Sequence, residues 1–149
     1  MQQLAKAIVD QAKNNVALKA AIAQSGVIST GIYFNEAINE AEFPYIVFTF
    51  VSNVPLRAFD SASDIEQYMV QFSIFDADQN SDTVTDISRK LRSAFDRETL
   101  TYTSYTPVGC ILLNELGPYK IDKNARPSES DAKDRFMITQ DYRISFIRT

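Results

Sequence analysis

The chain has 149 residues, with 15 Lys and Arg against 19 Asp and Glu, no histidine, one cysteine and a formal net charge of −4. That length suits one domain, residues 1–149, able to bury roughly 68–70% of the surface its unfolded chain exposes. The missing histidine excludes histidine-dependent triads and removes the commonest transition-metal ligand. A lone cysteine excludes an internal disulfide, and interspersed charges of net acidic sign lack the basic stripe of a nucleic-acid surface.

No apolar run approaches the roughly 20 residues of a membrane span. Near the N-terminus Lys6 and Lys13 alternate with Asp10 and Gln11, unlike a secretory signal, so the expectation is synthesis in a cytoplasm without membrane contact. Residues 2–24 carry Leu4, Ala7 and Ile8 on one helical face and Leu18, Ala21 and Ile22 on another. Asn14 and Asn15 separate the two faces, and Asn15 is placed to cap a second short helix from Val16. The spacing therefore predicts a kinked helix, stopped by Ser25 and Gly26.

Residues 31–34 (Gly-Ile-Tyr-Phe) predict a short strand, and residues 45–51 a second, in which Pro44 fits only as the first residue. In that second run Ile46, Phe48 and Phe50 point one way and Tyr45, Val47 and Val51 the other. Apolar residues on both faces predict an interior strand or one covered by a neighbouring subunit. Residues 55–64 read as a hairpin connection carrying Leu56, Arg57 and Phe59. Next, Tyr68, Val70, Phe72 and Ile74 alternate with Gln67, Met69, Gln71 and Ser73, which gives a strand with one buried face. Val84, Ile87, Leu91, Ala94 and Phe95 then recur at helical steps. Residues 99–106 have high strand propensity, and residues 108–116 form a further strand around a buried Cys110, with Gly117 and Pro118 weakening its pairing. Residues 122–135 lack any period and predict a long exposed loop bearing Lys123, Arg126 and Lys133. A last strand places Phe136, Ile138, Tyr142, Ile144 and Phe146 on one face, with Gln140 the exception. The fold class is α+β: a mixed or antiparallel sheet of about four to five strands, with the N-terminal kinked helix and one central amphipathic helix packed on it.

Asp76, Asp78, Asn80 and Asp82 match the first ligands of a calcium loop, but Ser81 stands where the sharp turn needs glycine and Ile87 where a bidentate glutamate belongs. Turn chemistry with a helix cap at Asn80 or Ser81 accounts for the series instead. Four unclustered glycines form no phosphate loop, and no catalytic, cofactor or metal residue is assigned.

In order, the kinked helix ending in Val16-Ala17-Leu18, Gly31-Ile32-Tyr33, Phe43-Pro44-Tyr45-Ile46-Val47, Gln71-Phe72-Ser73-Ile74-Phe75 with its helix to Leu91, and Asp141-Tyr142-Arg143-Ile144 resemble the tail terminator or tail completion proteins of long-tailed bacteriophages and prophages. The resemblance implies a virion protein at the head-proximal end of the tail, made in the bacterial cytoplasm. Its subunits would form a ring, usually a hexamer, on the tail tube, stop tube polymerisation and present a surface to the head connector. Implied partners are further copies of the chain, the tail tube protein and a connector or neck protein, without cofactor or specific nucleic acid. Under that reading Tyr45 and Val47 lie toward a neighbouring helix or subunit, while Leu56, Arg57, Phe59, Lys123, Arg126 and Lys133 lie on loops that meet neighbours or tube. The alternatives are another neck or tail-tube component, or a small carboxylate-dependent enzyme or ligand-binding domain.

Overall fold

The computed structural model describes residues 2–22, 31–37, 43–57, 64–77, 81–101, 105–121 and 135–148. The elements run α1 (Gln2–Asn14), α2 (Val16–Ile22), β1 (Ile32–Phe34), β2 (Tyr45–Arg57), β3 (Asp64–Ala77), α3 (Asp82–Phe95), β4 (Tyr105–Ile121) and β5 (Arg135–Arg148). One five-stranded sheet has the order β1-β2-β3-β5-β4, with β1 parallel to β2 and every other pair antiparallel. The expected α+β class and strand number are thus the observed ones.

The helices form where the sequence places them. Asn15 interrupts the N-terminal helix and its Oδ1 accepts the Leu18 N–H at 2.9 Å, so the kink is a cap for the first turn of α2. Gly31 sits against the end of α2 with φ +68°, and a Cβ there would lie 2.1 Å from the Ile22 carbonyl oxygen, which only glycine tolerates. α3 starts one residue after Ser81, but the Ser81 hydroxyl makes no capping bond. As at any N-cap, its carbonyl accepts the first helical N–H, from Thr85, and it also accepts the Thr85 hydroxyl. Val84, Ile87, Leu91, Ala94 and Phe95 are buried as the period requires.

All three helices contribute to one core. Alternate residues of the strands, Ile46 and Phe48 of β2, Val70, Phe72 and Ile74 of β3, and Ile138, Tyr142 and Ile144 of β5, are buried with Leu4, Ile8, Leu18 and Leu91. Phe72 lies at its centre, with ring centroids 5.8 Å from Phe48, 5.0 Å from Phe95 and 5.4 Å from Tyr142. Each such aromatic pair adds about 0.5–1.5 kcal/mol beyond the burial of its area.

Gln140, the polar exception on this face, is fully buried and fully bonded. Its Nε2 donates to Ser88 O at 3.0 Å and to Glu115 Oε2 at 2.7 Å, and its Oε1 accepts the Tyr142 hydroxyl at 2.7 Å. Arg92 Nη2 donates to the same Glu115 oxygen at 3.0 Å. One side chain of β5 therefore ties α3 to β4, and every polar atom of its amide has a partner.

The strands are longer than the sequence periods suggest. β2 and β3 pair out to Arg57↔Asp64, so Pro55, Leu56 and Arg57 are strand residues and not part of a connection spanning residues 55–64. A bulge between Phe50 and Ser52 turns Val51 outward, where it is 55% exposed. Of residues 99–106, read as strand-prone, 99–101 take no regular structure, 102–104 lie outside the described residues and β4 begins at Tyr105. β4 also runs past Gly117 and Pro118 to Ile121, with a register shift between Leu116 and Tyr119.

Both outer edges are blunted. The chain leaving α3 lies along β4: Cys110 N–H donates to Glu98 O at 3.2 Å, Arg97 N–H to Cys110 O at 2.7 Å, and Leu112 N–H to Asp96 Oδ1 at 3.0 Å. Arg97 makes this turn in the left-handed region, at φ 62°. On the other side β1 covers β2 from Ile46 to Phe48, and beyond it Pro55 lacks a donor, as Pro118 does on β4.

Phe72→Ala should cost about 3–5 kcal/mol in urea unfolding, and Phe72→Asp should abolish soluble expression; a normal melting transition for either would show that Phe72 is not in the core. Gln140→Ala should cost about 1–3 kcal/mol by leaving the buried Tyr142 hydroxyl without its acceptor and removing one of the two donors to Glu115. A double-mutant cycle with Tyr142→Phe should then give a coupling above about 0.5 kcal/mol, and additive effects would contradict the bond.

Candidate functional site

The core occupies one face of the sheet; no described helix covers the other. Its side chains follow from the register. Because directly opposed residues of an antiparallel pair share a face, Tyr45↔Phe75, Phe75↔Met137 and Met137↔Tyr119 make a continuous row across β2, β3, β5 and β4. The row thickens at the β2 end, where Phe43 stacks on Tyr45 at 5.1 Å, Tyr33 meets Tyr45 edge-on at 6.2 Å, and Tyr45 lies 5.2 Å from Phe75. The Arg135 guanidinium lies 5.4 Å from the Phe43 ring centre. Next to this row runs a second, Val47–Ser73–Thr139–Leu116.

Beyond them the face becomes polar: Thr49, Gln71, Asp141 and Asn114 share a row in which Gln71 Nε2 donates to Asp141 Oδ1 at 2.9 Å. The aromatic groups are thus concentrated toward one end of the helix-free face, while aliphatic ones return in the row Ser52–Met69–Arg143–Ile111, where Ile111 is 46% exposed. Tyr45, Val47, Phe75 and Met137 are half-buried by their neighbours alone, and at the β4 end Leu116 and Tyr119 are 46% and 43% exposed. Clustered exposure of this kind marks an interaction surface more often than chance surface composition does.

Tyr45 and Val47 therefore sit on the face opposite the described helices. Leu56 and Arg57 belong to the end of β2, whereas their side chains, together with Phe59, Lys123, Arg126 and Lys133, lie outside the described residues. Phe75, Met137, Leu116, Tyr119 and Tyr33 were not singled out by the sequence. The available signal was a large apolar residue in the solvent phase of an alternating strand, as at Phe75, but only the register joins these positions.

Little in the described residues resembles a catalytic centre. No group of three or more His, Cys, Asp or Glu among them could hold a metal ion, and no described helix is long and apolar enough to cross a membrane. Of the aspartate series, Asp76 is buried at the end of β3 and Asp82 is exposed at the start of α3, and residues 78–80 lie outside the described residues. A cleft of about 220 Å³ between the α1–α2 bend and the end of α3 is lined by Gln11, Asn14, Asn15, Ser93, Ala94 and Glu98, with one carboxylate and no second to work with it. The Cys110 thiol is pushed up to about 12 by burial and then by the nearby Asp96 carboxylate, the opposite of a reactive thiol. Burial, followed by Cys110 and Asp96, likewise raises the Tyr142 phenol.

No family model matches the chain, and no curated protein matches it by sequence. Among solved structures it is similar to a chain of the "Virion of native gene transfer agent (GTA) particle", with a TM-score of 0.68 and 14% identity, covering 98% of this chain and 96% of that one. At that identity the likeness is one of fold.

The Cys110 environment fixes a pH dependence. An unfolded thiol ionises near its ordinary value of 9.0, whereas the native thiol holds its proton to about 12. This contribution to stability is complete below that unfolded value and declines as pH rises from it toward the native one, by about 1.4 kcal/mol per pH unit. Urea unfolding above about pH 9 should show a steeper loss for the native chain than for Cys110→Ala; parallel pH profiles would contradict the buried neutral thiol.

Proposed function

We propose that the protein is a structural component of a phage-like virion and, within it, a tail terminator: a ring at the head-proximal end of the tail tube that halts tube growth and offers a surface to the head connector. The observation that carries this reading is the end-to-end fold likeness to a chain of a gene transfer agent virion, covering 98% of this chain and 96% of that one. The ordered sequence resemblance to tail terminators supports the same role. Its chemistry is compatible, because capping a tube requires binding surfaces and not a reaction.

A closed ring is built by heterologous contacts, in which two different surfaces of each subunit meet. The helix-free face supplies one of them. In this proposal Tyr45, Val47, Phe75 and Met137 bury against an adjoining subunit. Residues 55–64 and 122–135, with Leu56, Arg57, Phe59, Lys123, Arg126 and Lys133, contact neighbours or the tube. A hexamer matches the family's usual ring, with the tube protein and a connector or neck protein as the other partners. Strand addition at the sheet edges is the less suitable route, since Pro55, Pro118 and the turn at Asp96 to Glu98 remove or occupy edge donors.

Tyr45→Glu places a charge on a half-exposed position of the helix-free face. Because Tyr45 pairs with Tyr33, Phe43 and Phe75, it should cost the isolated chain about 1–3 kcal/mol while leaving it folded by its melting transition, and abolish the ring seen by native mass spectrometry or on assembled tails. A full ring carrying this variant would remove Tyr45 from the interface. Electron microscopy of particles made without the protein should show tails of uncontrolled length or tails detached from heads. Tails of normal length joined to heads would overturn the terminator role, and normal-length tails that fail only in joining would reassign the protein to another neck position.

A further inference from the structure

We draw no further inference here: the strongest candidate, the reach of the β4 edge from Leu113 to Tyr119 with Leu113, Leu116 and Tyr119 exposed beside the Gly117-Pro118 register shift, carries nothing, because nothing in the structure shows what covers it.

Discussion

Phe72 is held between Phe48 on the neighbouring strand, Phe95 on α3 and Tyr142 on β5, and this contact makes the core one-sided. The three described helices cover one face of the five-stranded sheet, all packing on the Phe72 side. The cost of that arrangement is an opposite face that the described helices leave bare. The structure tolerates it because antiparallel sheets can present one solvated face, and because the middle of that face is polar, with Gln71 bonded to Asp141. The aromatic row near Tyr45 is not explained by solvation. Its large apolar side chains suit contact with another protein surface.

A second constraint is positional. Gln140 interrupts an otherwise apolar stripe of β5, and its three hydrogen bonds reach Ser88 on α3, Glu115 on β4 and Tyr142 on its own strand. Apolar packing allows a helix to slide along a sheet with modest loss, whereas a one-residue slip would leave this buried amide and its partners unsatisfied. The network therefore fixes how α3 sits over β4 and β5. That alignment also sets the direction in which the chain leaves α3, through Arg97 in the left-handed region, to bond Cys110 and close part of the β4 edge. Fold specificity and edge protection thus share one local geometry.

Sequence periods revealed the elements whose burial is one-sided and continuous. β3 and α3 were legible because Val70, Phe72 and Ile74 alternate and Val84, Ile87 and Leu91 follow the helical step. Asn15 was legible as a cap because its spacing to Leu18 is a local property. Less was legible where distant residues decide. Threonine and tyrosine at residues 99–106 favour a strand, yet Glu98 uses its carbonyl to bond β4, and the strand starts only at Tyr105. Ser81 does stand at the cap position of α3, though its hydroxyl makes no capping bond. Alternation puts Tyr45 on the second face of its strand, while Phe75, Met137 and Tyr119 join it only through pairing register, which no single-strand period encodes.

In the proposed virion role the helical layer is scaffold and the helix-free face is the contact surface. Side-chain oxidation footprinting, comparing the isolated chain with the protein in assembled tails, tests it directly. Met137, Tyr119 and Leu116 should be protected on assembly, with Val16, 81% exposed at the start of α2, modified equally in both forms. Unchanged modification of Met137 and Tyr119 together with protection of Val16 would contradict it and move the interface to the helical side.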